Sequence, residues 1–156
     1  MQGQAQDCLN AIKGQLLHGD LDCLFKGVSI NSRTVSKGEL FVCVKGERFD
    51  GHNFLADAID KGAGGIILSD PEKLPGETGR VAEKPFVIQV PDTLKALQDL
   101  AGFQRKRFPF KVVAVTGTNG KSTTKEMIAS ILATKFKTLK TQGNLNNHIG
   151  LPLTLL

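Results

Sequence analysis

Tryptophan and tyrosine are absent from the 156 residues of this chain, and there are only three cysteines. Because the cysteines (Cys8, Cys23 and Cys43) are odd in number and form no Cys-x-x-Cys pair, we interpret them as reduced thiols of a cytoplasmic protein. All apolar runs are far shorter than the roughly 20 residues that span a bilayer, so we expect no membrane helix and no membrane partner. The polar first ten residues argue against a secretory signal. The overall composition, 40% hydrophobic and 22% charged, is typical of a globular protein.

Acidic side chains are also scarce in the last third of the chain. Residues 1–100 contain 11 basic and 14 acidic side chains, whereas residues 101–156 contain 9 basic and one acidic. Together with Pro109, this change predicts two domains, over residues 1–108 and 109–156. A basic second domain favours an anionic partner such as a nucleotide, a phosphorylated metabolite or a nucleic acid.

Apolar spacing predicts that helices and strands alternate along the chain. Glycine and proline residues separate the segments, and a charged loop without periodicity covers residues 70–84. The predicted helices cover residues 7–17, 54–61 with Asn53 as the N-cap, 92–107 and 125–136. The predicted strands cover residues 40–44, 65–68, 86–90, 112–115 and 137–141. Alternating strands and helices are typical of an α/β fold.

The sharpest motif is Thr116–Thr123 (TGTNGKST), which joins the β-branched run 112–115 to the next predicted helix. Its pattern is Gly-x-x-Gly-Lys-Ser, because Val115 stands where the strict phosphate-loop pattern has its first glycine. Glycines let backbone N–H groups turn toward phosphate oxygens, and a helix N-terminus adds partial positive charge. We therefore predict a phosphate-binding loop in which Lys121 contacts the β- and γ-phosphates and Ser122 binds Mg²⁺. The alternative is a glycine turn followed by a surface lysine.

Other groups that such chemistry requires are missing after this loop. Glu126 is the only acidic residue beyond Ser122, and no second magnesium ligand or general base is evident. The chain ends in the apolar run Leu151–Leu156 without a helix stop signal. We therefore expect a fragment of a longer protein that is inactive alone, exposes an apolar surface and self-associates.

Four motifs, in order along the chain, resemble those of the Mur ligase family, the ATP-dependent amino-acid ligases of peptidoglycan synthesis. They are Asn31–Val35 (NSRTV) with Gly38–Val42 (GELFV), Lys45–Phe54 (KGERFDGHNF), Thr116–Thr123 (TGTNGKST) and Gly143–Leu156 (GNLNNHIGLPLTLL). The resemblance extends from about residue 7 to the end of the chain. The last motif is similar to that of the branch that joins D-alanyl-D-alanine to UDP-N-acetylmuramoyl-tripeptide. Asn31 departs from the family pattern, which has an aspartate there.

The resemblance implies a small N-terminal α/β domain of UDP-binding type, followed by the first β-α-β unit of a P-loop ATP-binding domain. It implies that ATP phosphorylates the substrate carboxylate and that an amine attacks the acyl phosphate, with Lys121 as the catalytic residue. The residues that it assigns to ATP are Gly117, Thr118, Asn119, Gly120, Lys121, Ser122 and Thr123, with Ser122 also on Mg²⁺. The residues that it assigns to the UDP precursor are Ser32, Arg33, Glu47, Arg48, Phe49, Asn144, Asn146 and Asn147.

Two other interpretations stay open. One is another member of the same superfamily, either a tripeptide-forming Mur ligase or folylpolyglutamate synthase. A different P-loop enzyme, such as a small kinase or folylpolyglutamate synthase, would share the loop but not the N-terminal motifs. The other is a non-catalytic basic module that binds nucleotides or nucleic acid through residues 105–111 and 135–140. The sequence disfavours nucleic acid, because tryptophan and tyrosine are absent and we predict that the phenylalanines are buried.

Overall fold

The computed structural model of the chain describes residues 1–46, 49–76, 84–143 and 145–156. Its β-strands are β1 (Gln2–Gln4), β2 (Gln15–His18), β3 (Leu24–Lys26), β4 (Val28–Ser29), β5 (Leu40–Val42), β6 (Gly65–Leu68) and β7 (Phe86–Gln89). Its α-helices are α1 (Ala5–Ile12), α2 (Leu55–Asp60), α3 (Thr93–Arg107), α4 (Lys121–Ala133) and α5 (Gly150–Leu155). Short 3₁₀ turns cover Gly51–Phe54 and Pro71–Lys73. Within these described ranges, no helix combines the length and the apolar character that crossing a membrane requires.

The larger sheet is mixed and has five strands in the order β2-β7-β6-β5-β4. The strands β4, β5, β6 and β7 run parallel, whereas β2 lies antiparallel beside β7 at the edge. The strands β1 and β3 form a separate antiparallel pair. Parallel neighbours need a crossover connection, and α2 supplies one between β5 and β6. This architecture confirms the predicted α/β fold class.

Both faces of the central strands are buried, because successive side chains point to opposite sides of a strand. In β5, Leu40 and Val42 belong to one core and Phe41 to the other. The first core includes buried residues of α1 and α3, and the second includes buried residues of α2. The sheet therefore lies between two helical layers, which explains why its inner strands are short, uninterrupted apolar runs.

Helix α3 has the beginning and the end that its sequence predicts. The Asp92 carboxylate accepts hydrogen bonds from the backbone N–H groups of Leu94 (2.8 Å) and Lys95 (3.1 Å), so it caps the first turn. Three basic residues occupy the last turn, where the negative end of the helix dipole favours cations. The predictions of α3, β6 and β7 are confirmed.

The helix predicted over residues 7–17 is too long. It ends at Ile12, because Lys13 adopts a left-handed conformation with a φ of 53°. Leu16 and Leu17 belong instead to β2, which pairs with β7. Their helical spacing is overridden by a strand partner more than 60 residues away along the chain, which local periodicity does not contain.

The predicted N-cap of the next helix is also wrong. Asn53 lies inside the 3₁₀ turn, and α2 begins two residues later. The residue that caps the 3₁₀ turn is Asp50, whose carboxylate accepts the backbone N–H of His52 (3.0 Å).

The strands predicted at residues 112–115 and 137–141 are absent from the described structure. Val112 is 55% exposed and Val113 is 61% exposed. Residues with β-branched side chains form a strand where a neighbouring strand pairs with them and covers them, and no described strand does so here. The intervening helix is confirmed, although it begins at Lys121 rather than at residue 125.

Helix α4 and the segment after it expose apolar side chains. Ala129 is the buried residue of α4, whereas Met127 and Ile131 are 62% and 69% exposed. Phe136 and Leu139 are exposed as well. These exposures agree with the apolar surface expected from the sequence, and self-association stays a prediction.

Helix α5 lies against the first half of the chain. Ile149, Leu153 and Leu156 pack on the core that α1 and α3 share. The Gln98 side chain of α3 also donates a hydrogen bond to the carbonyl of His148 (3.2 Å). The segment after α4 therefore returns to the predicted first domain, and the boundary between residues 108 and 109 stays a prediction.

Candidate nucleotide-binding site

The glycine-rich loop leads directly into α4. Gly117 and Gly120 have φ values of 147° and 75°, a region that residues with a side chain rarely adopt. A Cβ on Gly120 would meet no atom within 4 Å, so the backbone conformation, not lack of space, requires glycine there. The carbonyl of Gly120 accepts the backbone N–H of Thr124 (2.9 Å), which closes the first helical turn.

Lys121 is the first residue of α4, and its side chain folds back over the loop. The Nζ atom donates to the carbonyls of Gly117 (2.5 Å) and Thr118 (3.1 Å). The ammonium group is therefore held beside the positive end of the helix dipole. No acidic residue lies in the first turn of α4 to neutralise this charge. A fixed cation next to a helix N-terminus fits phosphate oxygens.

Hydroxyl groups complete the donor set of the loop. Thr118, Ser122 and Thr123 are exposed, so their hydroxyls are accessible to a ligand. The described part of the chain contains no group of three His, Cys, Asp or Glu side chains that would hold a metal ion. Mg²⁺ prefers six oxygen ligands, often including substrate phosphates. The donor set therefore fits nucleotide phosphates, and the hydroxyl of Ser122 is the candidate magnesium ligand of this loop.

The asparagine-rich segment after α4, which we define as residues 141–150, has a structural role at one position. The Oδ1 atom of Asn147 accepts the backbone N–H groups of Ile149 (3.1 Å) and Gly150 (2.7 Å), which satisfies donors at the start of α5. Asn146 is exposed. Asn144 lies outside the described residues. A substrate contact by these asparagines stays a prediction.

The residues predicted to bind the UDP precursor lie after two neighbouring parallel strands. Ser32 and Arg33 follow β4, and Phe49 follows β5, so these turns share the carboxyl edge of the sheet. Ligands of open parallel sheets bind at this edge. Phe49 is 74% exposed, whereas Ser32 is buried. Glu47 and Arg48 lie outside the described residues.

Hydrogen bonds hold the turn that contains Ser32 and Arg33. The Oδ1 atom of Asn31 accepts the backbone N–H of Arg33 (3.0 Å), a contact that needs an acceptor oxygen but no negative charge. Asparagine can therefore replace the family's aspartate in this contact. Lys61, which follows α2, donates to the carbonyls of Ser32 (2.6 Å) and Arg33 (2.9 Å). Sequence reasoning missed Lys61, because no local pattern links it to a turn 28 residues earlier.

Sequence reasoning also missed a buried histidine. The Nδ1 atom of His52 lies 2.6 Å from Oδ1 of Asp50, and its Nε2 atom accepts the backbone N–H of Ser69 (2.9 Å). Lys73 donates to the other Asp50 oxygen (2.6 Å). Burial by itself raises the pKa of Asp50, but the hydrogen bonds from Lys73 and His52 outweigh it and hold the pKa well below its usual range. The Asp-Gly-His sequence was the available signal for this network.

The prediction that the phenylalanines are buried is wrong for several of them. Phe25, Phe41 and Phe86 are in the cores, but the exposed set comprises Phe49, Phe54, Phe108, Phe110 and Phe136. The guanidinium of Arg105 lies 4.7 Å from the Phe110 ring centroid, and that of Arg107 lies 5.5 Å from Phe103. These arginines stack on aromatic rings of the chain itself. Burial of phenylalanine is therefore no argument against a nucleic-acid partner.

Two family profiles match the chain. The profile described as Mur ligase family, catalytic domain, matches residues 24–105, and the Mur ligase middle domain matches residues 115–156. The second match contains the glycine loop and α4. The first contains the two turns at the carboxyl edge of the sheet.

The curated relatives that the chain matches, from several bacteria, share one enzyme name. The chain is 41% identical to UDP-N-acetylmuramoyl-tripeptide–D-alanyl-D-alanine ligase of Bacillus subtilis, over 93% of this chain and 31% of that protein. It is 42% identical to the Escherichia coli protein of this name, over 90% of this chain and 30% of that protein. The chain thus spans about 30% of the length of these relatives.

Solved structures show the same similarity in three dimensions. The UDP-N-acetylmuramoylalanyl-D-glutamyl-2,6-diaminopimelate–D-alanyl-D-alanyl ligase of Acinetobacter baumannii has a TM-score of 0.85 at 35% identity, over 99% of this chain and 33% of that one. The Thermotoga maritima MurF ligase, solved in complex with ADP, has a TM-score of 0.67 at 37% identity, over 83% of this chain and 28% of that one. With sequence profiles, identity and fold in agreement across both halves, the chain belongs to the Mur ligase family.

Proposed function

We propose that this chain is part of an ATP-dependent ligase of peptidoglycan synthesis, which joins D-alanyl-D-alanine to UDP-N-acetylmuramoyl-tripeptide in the cytoplasm. The observation that carries the proposal is Lys121, held over a glycine loop at the start of α4 in a chain of this family. The names of the curated relatives support the substrates. The ADP complex of the Thermotoga maritima relative supports the nucleotide.

In the proposed reaction, ATP transfers its γ-phosphoryl group to the terminal carboxylate of the peptide, and ADP leaves. The amino group of D-alanyl-D-alanine then attacks the acyl phosphate, and inorganic phosphate leaves as the amide bond forms. Phosphoryl transfer develops negative charge on the transferred group, which Lys121 and the N-terminus of α4 are placed to stabilise. Bound Mg²⁺ supplies further positive charge, and Ser122 is the ligand that this chain offers it.

In this proposal, the UDP end of the precursor binds at the carboxyl edge of the larger sheet. Arg33 and Arg48 supply cations for the diphosphate, and Phe49 supplies an apolar face for the uracil ring. The strong exposure of Phe49 supports this assignment, because its large apolar side chain lies outside both cores and is accessible to a ligand. The other residues assigned to the precursor are Ser32, Glu47, Asn144, Asn146 and Asn147.

The test compares Lys121→Ala with Lys135→Ala in the full-length ligase. Lys135 is an exposed lysine shortly after α4 and serves as the matched control. Phosphate release is measured with ATP, UDP-N-acetylmuramoyl-tripeptide and D-alanyl-D-alanine. We expect Lys121→Ala to lower kcat by about 100-fold or more with unchanged circular dichroism, and Lys135→Ala to stay within about 2-fold. Near-normal turnover of Lys121→Ala would remove this lysine from the chemistry.

Two further measurements separate this proposal from its alternatives. The 156-residue chain alone is expected to bind ADP without ligating the substrates, which calorimetry and the same phosphate assay check. Ligation of a single amino acid to a UDP-N-acetylmuramoyl-dipeptide, without activity toward D-alanyl-D-alanine, would favour a tripeptide-forming Mur ligase. Salt-dependent oligonucleotide binding without ADP binding would favour the non-catalytic basic module.

A further inference from the structure

Lys121 and Lys125 lie one turn apart on α4. One bonds to backbone that precedes the helix in the sequence, and the other bonds to backbone that follows it. Residues four apart lie on one helix face, so Lys121 and Lys125 are neighbours on the helix surface. The Lys121 ammonium bonds to carbonyls of the glycine loop that precedes α4, as described above. The Lys125 ammonium bonds to carbonyls that follow α4, those of Thr141 (2.6 Å) and Gly143 (3.3 Å). One helix face therefore holds both the glycine loop and the start of the asparagine-rich segment.

The ammonium group of Lys125 lies among three oxygen atoms of the chain. Besides the two carbonyls, its Nζ atom lies 3.2 Å from Oε1 of Glu126, and an ammonium has three donors. Glu126 also pairs with Lys140. Hydrogen bonds from Lys140 and then Lys125 hold the pKa of Glu126 below its usual range, so this carboxylate stays charged. The Lys125 side chain is 21% exposed. Its two hydrogen bonds therefore hold protein backbone.

The backbone that Lys125 holds continues to the first half of the chain. Asn147 bonds to backbone N–H groups at the start of α5, and α5 packs on the core beside α3. Gln98 of α3 donates to the carbonyl of His148 (3.2 Å). One series of contacts from the glycine loop to the larger sheet thus runs through the carbonyls at Thr141 and Gly143.

We propose that Lys125 is a positioning residue for the ligation reaction, which fixes the asparagine-rich segment relative to the ATP loop. The proposal rests on the proposed function. Phosphoryl transfer needs the acceptor carboxylate close to the γ-phosphate and in line with it. The ATP loop lies at one end of this series of contacts. The larger sheet, whose carboxyl edge is the proposed site of the UDP precursor, lies at the other end. Lys125 sets the spacing between them and touches neither substrate nor nucleotide.

The kinetic test uses Lys125→Met, Lys125→Arg and the control Lys135→Met in the full-length ligase. Methionine keeps most of the side-chain length and loses the donors, whereas arginine keeps donors for both carbonyls. We expect Lys125→Met to lower kcat by about 10- to 100-fold, the effect of a small misplacement of the reacting groups. The KM for ATP and the Kd for ADP stay within about 3-fold, Lys125→Arg recovers most of kcat, and Lys135→Met matches the wild type.

A second readout does not depend on turnover. Amide hydrogen exchange is followed at Leu145 and Gly150, which are bonded within the asparagine-rich segment, and at Thr124 of α4. We expect Lys125→Met to speed exchange at Leu145 and Gly150 by about 10-fold or more and to leave Thr124 unchanged. Unchanged exchange and unchanged kcat overturn the proposal, as does a loss of ADP affinity equal to the loss of kcat. A wild-type protein without ATP-dependent ligation overturns the proposed function instead.

Discussion

The imidazole of His52 joins Asp50 to the end of β6. Its Nδ1 atom lies 2.6 Å from Asp50 Oδ1, and its Nε2 atom accepts the backbone N–H of Ser69 at 2.9 Å. A ring nitrogen that accepts an N–H carries no proton, so Nδ1 is the protonated nitrogen and donates to the carboxylate. The side chain is 1% exposed. The network therefore links the loop after β5 to the strand beside it, at the edge where we place the UDP precursor.

The low pKa of Asp50 predicts a loss of stability in acid. A carboxyl group whose pKa is lowered by folding stabilises the folded state above its unfolded pKa of about 4, and this contribution disappears as the pH falls toward the lower folded value. We expect the free energy of unfolding to fall from about pH 4 downward. Asp50→Asn should reduce the slope of that decline. Asp22→Asn, at an exposed aspartate, should leave the slope unchanged. Urea unfolding at several pH values measures both slopes, and equal slopes for Asp50→Asn and wild type would contradict the prediction.

Replacement of Lys61 by methionine tests the turn that contains Ser32 and Arg33. The variant removes the two hydrogen bonds to their carbonyls and keeps an apolar side chain of similar length. We expect the free energy of unfolding to fall by about 1 kcal/mol. Amide exchange at Val35, whose N–H closes the turn, should become faster. Lys106→Met, at an exposed lysine of α3, is the matched control.

The same Lys61→Met variant carries a prediction about substrate. If this turn binds the UDP end of the precursor, affinity for UDP-N-acetylmuramoyl-tripeptide should fall by about 10-fold, which corresponds to about 1.4 kcal/mol. ADP affinity should not change.

An NMR titration of the chain with UDP follows the amides of Arg33 and Phe49. The absence of shifts at both amides with millimolar UDP would contradict the assignment of this edge.

Two glycine-to-alanine changes should have opposite effects on stability. A Cβ on Gly65 of β6 would overlap the Phe86 ring in the first core, so Gly65→Ala should lower the free energy of unfolding by about 1–3 kcal/mol. A Cβ on Gly102 in α3 would meet no atom within 4 Å, so Gly102→Ala should raise it by about 0.5–1 kcal/mol. Chemical denaturation of both variants measures the two changes. No fall for Gly65→Ala would contradict the overlap with Phe86, and a fall for Gly102→Ala would contradict the open space at that position.

Thiol reactivity should distinguish the three cysteines. Burial raises the pKa of the Cys8 thiol to about 12, and burial also raises the pKa of Cys43. The thiolate is the reactive form, so these two thiols should react with a disulfide reagent at pH 8 only after unfolding. Cys23 is half-buried and should react in the native protein. Cys23→Ser is therefore expected to abolish the fast phase, and a fast phase that persists would contradict the burial of the other two.

Short segments with all their determinants close together in the chain could be predicted from the sequence. The Asp92 cap and the basic last turn of α3 belong to one helix, and the glycine turn before Lys121 belongs to one loop. Leu16 and Leu17 were misassigned, because their helical spacing competes with pairing to a strand about 70 residues later. Val112 and Val113 show the converse case. Their strand propensity is strong, but no described strand pairs with them, and a strand is stable only within a sheet.

The sequence alone determined the family and the α/β class, and it predicts the phosphate-loop chemistry, because a motif such as Thr116–Thr123 carries its glycines, cation and hydroxyls within a few residues. The tertiary structure decided how these parts are held. Lys61 reaches a turn 29 residues away, His52 reaches a strand end 17 residues away, and Lys125 reaches a carbonyl 16 residues away. Each of these hydrogen bonds ends on a backbone group, which every residue possesses and no residue type identifies. Only the folded chain brings the donor and that group to bonding distance.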